Sequence, residues 1–355
     1  MSTSPRNALV VGAGVVGTLS AFRLARSGWN VTVFDSTPGA GATWAAAGMI
    51  APSAEIAPGE RDNYHLQRGA LLAWRGIADE LATLTGDSLD VRESGTLLVG
   101  VDASDRLLVE QFQVVATSFG ARTNVVSRDD DEDLFEGISP RIRGGLFVPG
   151  DGWLDPDHAM ALLARANELL GVVTVPLDAV TASVDGPYVV VTADTSYRGD
   201  VGLLATGARA LPTGVAQRAS HSVRPVRGMT LRVVGLDRSD QPTVRAFVRG
   251  RPFYLVSRPG GYCVVGSTSD ERSELFVEVG DLARLLRDAL DVVPSLDGAR
   301  VVETRQGLRP VSKDLRPFFE VIDERWAWST GHYRHGVTLA PFAAEEALTF
   351  ARGAP

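Results

Sequence analysis

The run Val10-Val11-Gly12-Ala13-Gly14-Val15-Val16-Gly17, followed by Val31-Thr32-Val33-Phe34-Asp35, leaves the N-terminal segment little choice of fold. Ala8 to Val11 reads as a short buried strand, Val15 to Ser27 as a helix closed by Gly28, and Val31 to Phe34 as a second strand. Strand, Gly-x-Gly-x-x-Gly turn, helix, strand and then an acid is the context a dinucleotide fingerprint requires. Gly12 permits the tight turn, Gly14 lets the backbone approach a pyrophosphate, and Gly17 lets helix and strand pack closely. Ala13, Val15 and Val16 fall in the turn and at the helix start, where unpaired N–H groups and a partial positive charge suit phosphates. Asp35 can accept a ribose diol, and an acid there disfavours the 2′-phosphate of NADP. This segment alone does not separate FAD from NAD.

At 355 residues the chain is long for one core, so two domains are expected. The apolar share of 45% is ample for burial. A net charge of −8 opposes nucleic acid or an anionic membrane as the main partner. Cys263 is the lone cysteine and sits among Tyr262, Val264 and Val265, so the expectation is a buried strand thiol and no internal disulfide. Ala8 to Val16 carries two glycines and reads as strand and turn rather than signal peptide. No apolar run approaches the roughly 20 residues of a spanning helix. The expected setting is the cytoplasm, with no membrane association.

Further along, Leu66 to Leu84 reads as a helix with Leu71, Leu72, Trp74, Ile77, Leu81 and Leu84 at helical spacing. Gly95 to Val101 reads as a strand, Ala103 to Phe119 as a helix, and Gly144 to Pro149 as a strand. Asp151 to Pro156 reads as a turn that opens a helix reaching about Leu170. Short strands are expected at 172–175, 179–184, 188–193 and 201–205, and residues 223–268 alternate as an antiparallel sheet does. Phe276 to Leu290 reads as a helix with Leu282, Leu285, Leu286 and Leu290 on one face. The expected fold class is α/β plus α+β. A discontinuous Rossmann-like nucleotide domain (1–86, 144–222 and 304–355) is interleaved with a smaller substrate domain (87–143 and 223–303) built on an antiparallel or mixed sheet.

Several segments are poor core elements but good ligand contacts. Gly41-Ala42-Thr43-Trp44-Ala45-Ala46-Ala47-Gly48-Met49-Ile50-Ala51-Pro52 is too small for ordinary packing and suits a loop against an aromatic ring system. Leu203-Leu204-Ala205-Thr206-Gly207-Ala208 ends a buried strand with little side chain, as close ligand approach requires. Within Gly331-His332-Tyr333-Arg334-His335-Gly336-Val337-Thr338-Leu339-Ala340-Pro341, a helix can open at Gly336 and favour negative charge at its N-terminus. With Asp151-Gly152-Trp153-Leu154-Asp155-Pro156 and Gly307-Leu308-Arg309-Pro310, these segments resemble the D-amino-acid oxidase superfamily of FAD-dependent oxidoreductases, most of all its glycine oxidases. The resemblance covers Val10 to about Leu348. It implies non-covalent FAD held by Gly12, Ala13, Gly14, Val15, Val16, Gly17, Asp35, Ser36, Thr43, Ala46, Ala47, Gly48, Met49, Val180, Ala205, Thr206, Gly207, Arg309, His332, Arg334, His335, Gly336, Val337 and Thr338.

On the substrate side, an amino-acid oxidase must hold the α-carboxylate so that the Cα–H meets flavin N5, and a guanidinium fork does this well. The resemblance gives that role to Arg309, which reads as lying in a small-residue turn. It gives an active-site role to Tyr254 and to Arg334, and a pocket lining to Met49, Ala51, Glu55, Ser269 and His335. No nucleophile, general base or metal is needed, because flavin accepts the hydride and the protein supplies orientation and electrostatics.

The chain departs from the family pattern at Leu315 and Glu320, where relatives have glycines, at His335 for asparagine, and at Ser269 for methionine. A histidine beside the flavin would titrate near neutral pH and contact a polar substituent. The expected reaction is oxidation of glycine, or of a glycine-like and N-substituted amino acid, to the imine, with O2 taking the electrons as H2O2. In relatives of this kind the imine either hydrolyses to glyoxylate or feeds thiazole synthesis for thiamine. Alternatives are a D-amino-acid or sarcosine-type dehydrogenase with another acceptor, and oxidation of a glycyl group on a larger metabolite in a biosynthetic pathway. A homo-oligomer or a heteromeric complex is compatible with either.

Overall fold

In the computed structural model, which describes residues 6–354, strand Asn7–Val11 lies at the centre of a six-stranded sheet. It pairs in parallel with Val201–Leu204 on one side and Asn30–Phe34 on the other. Val173–Val175 extends the sheet beyond Asn30–Phe34, and Trp326–Thr330 and Phe318–Asp323 extend it beyond Val201–Leu204. The unbroken apolar run 8–11 follows from cover on both faces. Ala8 and Val10 pack under helices Val15–Arg26 and Gly336–Gly353, through Ala21, Leu24, Ala347 and Leu348. Leu9 and Val11 pack instead against Ala182, Val189 and Val191 of a small four-stranded sheet.

An eight-stranded sheet runs in the order 300–312, 223–234, 262–266, 251–258, 243–248, 96–100, 144–148 and 124–127. Its two faces follow from side-chain alternation along each strand. Met229, Leu231, Val233, Phe253, Leu255, Cys263 and Val265 pack with helix Val279–Val292 in one core. Gly228, Thr230, Arg232, Tyr254, Gly266 and Arg309 lie on the alternate positions, toward the first sheet.

Four local expectations change. Helix 66–84 becomes two helices, Arg61–Gln67 and Ala70–Thr85, because Gly69 between them adopts φ 86°. The helix expected from Phe276 begins at Val279; Leu275 and Phe276 precede it, and Leu290 is exposed. Gly152–Leu154 is a strand that pairs with Met49–Ile50 and Val91–Arg92, so the Asp151 turn starts one element earlier. Strands Gly144–Val148 and Arg300–Ser312 belong to the eight-stranded sheet, so breaks at 144 and 304 do not follow the sheets. Residues 1–5 and 355 of the expected ranges lie outside the described part. Among the described residues no helix is long and apolar enough to cross a membrane.

Candidate active site

A cavity of about 580 Å3 separates the two sheets, running from the carboxyl ends of the parallel strands to the polar face of the eight-stranded sheet. At its first end stand Gly12, Gly14, Val15, Val16, Asp35, Ala205, Thr206 and Gly207. The three glycines are packed to different depths. A methyl on Gly17 would overlap the Gly12 carbonyl, and one on Gly12 would overlap that of Ala205, while one on Gly14 would meet only Thr43 Oγ1 at 3.3 Å. Gly12 and Gly17 thus close the fold, and Gly14 leaves room for a ligand. Gly14, the N-cap of helix Val15–Arg26, has no side chain to cap it, and among the leading N–H groups that of Val15 donates to Thr43 Oγ1 at 3.1 Å. Asp35 is buried, with Oδ2 accepting from Ala13 N at 2.8 Å and Oδ1 from Thr37 N at 2.9 Å. Arg209, absent from the sequence expectations, also lines this end and donates to Thr37 Oγ1 at 2.7 Å.

The middle wall is the segment Thr43 to Met49, of which Thr43, Ala46, Ala47, Gly48 and Met49 border the cavity. Facing them, Gly336 and Val337 begin a helix of 18 residues with no side-chain cap, so a second helix N-terminus opens onto the cavity. Thr338 acts from behind, donating to Met49 O at 3.2 Å. A helix N-terminus at the first end of the cavity and a second opposite its middle wall, with small residues between, fit a dinucleotide carrying a flat ring. Ser36 and Val180 do not border the cavity: Ser36 N donates to Asp178, and Val180 is 62% exposed on the small sheet's approach.

At the other end Arg309 does not sit in a turn but on strand Arg300–Ser312, half-buried. Its Nη2 donates to Ser267 Oγ at 3.0 Å, and Nη1 to the carbonyls of Thr268 and Arg227 at 3.3 and 3.4 Å. The Tyr254 phenol meets the same Ser267 hydroxyl, and burial, against the opposing pull of Arg309, keeps it protonated above the usual phenol range. Both side chains lie against glycine: a methyl on Gly228 would overlap the Arg309 guanidinium, and one on Gly266 the Tyr254 ring. Ser269 and Met49 complete this wall, whereas Ala51 is buried behind it.

Beside them Arg245, Arg334 and Glu55 also face the cavity. Arg334 pairs with Glu60 at 2.7 Å and donates to Glu55 O at 3.1 Å. Arg245 is the cross-strand neighbour of Tyr254, stands 3.9 Å from Glu55, and donates to Ala54 O. Burial would raise the Glu55 carboxyl, but the His335 contact and the Arg245 and Arg334 guanidiniums outweigh it and hold the pKa at about 2. Asp151 fixes this loop from below, accepting from Ser53 N and Ala54 N at 3.1 and 3.0 Å.

The expectation for His335 is corrected. It is buried off the cavity wall, its Nδ1 3.4 Å from Glu55 Oε2, and neither ring nitrogen has a well-formed hydrogen bond. Burial pushes its pKa down, and does the same to His332, to about 4. Both rings are therefore neutral at neutral pH. Ser267, Arg245 and the two glycines were not singled out from sequence. The available signal was the alternation of strands 223–234, 243–248 and 262–266, which places Gly228, Arg245 and Gly266 on the polar face; Ser267 lies just beyond the last strand, where alternation carries no signal.

The DAO family of FAD dependent oxidoreductases matches residues 7–348. Glycine oxidase from Geobacillus kaustophilus is 27% identical over 343 residues, 94% of this chain and 89% of its own. A putative thiamine biosynthesis oxidoreductase, ThiO, from Rhizobium etli is 32% identical over 350 residues, 95% of this chain and 94% of its own. The crystal structure of the Geobacillus kaustophilus glycine oxidase superposes with a TM-score of 0.88 at 24% identity, covering 98% of this chain and 95% of that one.

Proposed function

The chain belongs to the DAO family of FAD-dependent oxidoreductases, and from that premise we propose that it oxidises glycine or an N-substituted glycine to the imine, with O2 as electron acceptor. The fingerprint and the two helix N-termini would hold FAD, which would supply the hydride acceptor. The observation that carries the substrate class is the Arg309–Ser267–Tyr254 group on a glycine floor. A guanidinium whose outer edge is open and whose back is fixed by three acceptors presents its fork to a carboxylate.

The charge at this end favours the reactive form of the amine. Arg245, Arg309 and Arg334 bring three positive charges, Glu55 and Glu60 two negative ones, and His332 and His335 are neutral. The surplus of one positive charge matches an aminocarboxylate with a free amine lone pair better than the neutral zwitterion. The ThiO relative supports a variant of this reading, in which the imine serves thiamine biosynthesis rather than being lost to hydrolysis.

The test is a substrate screen of the FAD-loaded protein over glycine, N-alkylglycines and small D- and L-amino acids, with peroxide detection and an oxygen electrode. Glycine or an N-alkylglycine should head the ranking, with peroxide formed in step with O2 uptake. Preference for a bulky amino acid, or turnover only with an artificial dye and no O2 uptake, would reject the substrate or the acceptor respectively.

A further inference from the structure

Four consecutive carbonyls of the middle wall are held from the eight-stranded sheet. Arg305 Nη1 and Arg232 Nη2 donate to Trp44 O at 3.0 and 3.2 Å, and Thr230 Oγ1 to Ala45 O at 3.0 Å. Arg232 Nη2 also donates to Ala46 O at 3.0 Å, and Arg258 Nη2 to Ala47 O at 2.6 Å. Two of these guanidiniums have counter-charges: Arg258 meets Asp155 at 2.5 Å, and Arg305 meets Asp157 and Glu303 at 2.7 Å each.

Arg232 has none. It is 2% exposed, and among the described residues no ion pair of 4 Å or less reaches it. Glu303, its cross-strand neighbour, turns to Arg305 instead. The charged groups nearest it are Arg305 and Arg258, which repel it, and the polar neighbours are the phenols of Tyr254 and Tyr262. Its Nη1 spends its hydrogen bond on Thr230 Oγ1 at 3.0 Å. Its hydrogen bonds to Trp44 O, Ala46 O and Thr230 Oγ1 hold the wall, but a neutral donor would make them as well, and a buried charge without a counter-ion is heavily penalised. Yet Thr230, Ala45, Ala46 and Ala47, the groups in front of it, all border the cavity.

We propose that Arg232 is a fixed positive charge whose counter-anion is the flavin ring in its reduced form, so that the residue raises the reduction potential of the bound cofactor. Uptake of two electrons and one proton leaves the ring singly negative, and a cation one residue layer behind the wall favours that state over the neutral oxidised one. The inference rests on FAD binding at this cavity and not on which amine is oxidised. The substrate screen and the measurement below can therefore fail separately.

The test is a reductive titration of the FAD-loaded protein with dithionite against a reference dye, comparing wild type, Arg232→Met, Arg232→Gln and Arg232→Lys. The neutral variants should lower the reduction equilibrium constant at least tenfold, about 30 mV in the two-electron midpoint. Arg232→Lys should stay within about threefold of wild type. Apoprotein melting in Arg232→Gln should stay within a few degrees of wild type, since removal of an uncompensated buried charge offsets the hydrogen bonds weakened to Ala46 O and Thr230 Oγ1. Binding of acetate to the oxidised holoenzyme should change less than about twofold, which separates the cofactor from the substrate carboxylate as the anion. An unchanged midpoint in a folded neutral variant overturns the proposal, as does a midpoint that Lys restores no better than Met. So does loss of acetate binding in place of the midpoint shift. Failure of both neutral variants to fold or to hold FAD assigns Arg232 to structure and overturns it as well.

Discussion

Arg309 lies flat on Gly228: the guanidinium of one strand covers the Cα of the next, in space that a single methyl group would fill. The proposed carboxylate anchor is thus set by a residue with no side chain. Gly228→Ala should keep fold and FAD but displace the fork, lowering kcat/KM for a carboxylate substrate about 10- to 100-fold. Arg309→Ala should cost more, roughly 2–5 kcal/mol for a desolvated charge pair. In an Arg309→Ala background the further loss from Gly228→Ala should largely vanish, which steady-state kinetics on the double mutant checks. Full additivity would detach the two residues.

The fingerprint glycines should separate by function. Gly14→Val should block FAD binding while leaving the chain folded, because the nearest protein atom to a side chain there is Thr43 Oγ1 at 3.3 Å and the remaining space faces the cavity. Gly17→Ala should instead destabilise the protein, since its methyl would overlap the Gly12 carbonyl. Flavin absorbance after gel filtration and urea unfolding of each variant report the two effects.

Acid should act on the fold through three buried groups of opposing sign, with net destabilisation setting in below about pH 4.5. His332 has a folded pKa of about 4, depressed by burial, and Glu55 one of about 2. A depressed folded pKa means the unfolded chain binds more protons, so stability is present above the unfolded pKa and lost as pH falls. The His332 contribution should fade below about pH 6.5. It is opposed between about pH 7 and pH 4 by Asp151, whose carboxyl burial raises to about 7 and which stabilises the fold as it protonates. The Glu55 contribution should fade below about pH 4.5. Glu55→Gln should remove the loss below about pH 4.5 and cost up to about 3 kcal/mol at neutral pH. Urea midpoints measured from pH 7 to pH 3 give these slopes.

Leu315 holds φ 64°, in the left-handed region that favours glycine, and Asn63 Nδ2 donates to its carbonyl at 3.0 Å. A left-handed non-glycine residue costs roughly 1–2 kcal/mol, against which glycine would lose about 0.4–1 kcal/mol through a freer unfolded chain. Leu315→Gly should therefore raise stability by about 0.5–1 kcal/mol with FAD content unchanged, as read by urea unfolding. Destabilisation would mean the leucine side chain contributes contacts larger than its strain.

The sequence alone determined the nucleotide end, because its signals are local. A turn, a helix start and an acid within one strand–helix–strand unit declare themselves through spacing, and Gly12, Gly14, Gly17 and Asp35 needed no tertiary information. It also carried the family motifs around Ala46, Arg309 and Gly336. Tertiary structure decided the reaction end, where the working relations cross strands that are distant in sequence. Nothing adjacent to Arg309 announces that Gly228 supports it, that Ser267 joins it to Tyr254, or that Arg245 stands beside that tyrosine. His335 shows the same limit from the other side: its place in a motif suggested a titrating contact, and burial makes it a neutral ring behind the wall. Periodicity tells which face a residue occupies. Only packing tells which neighbour, charge or empty space that face meets.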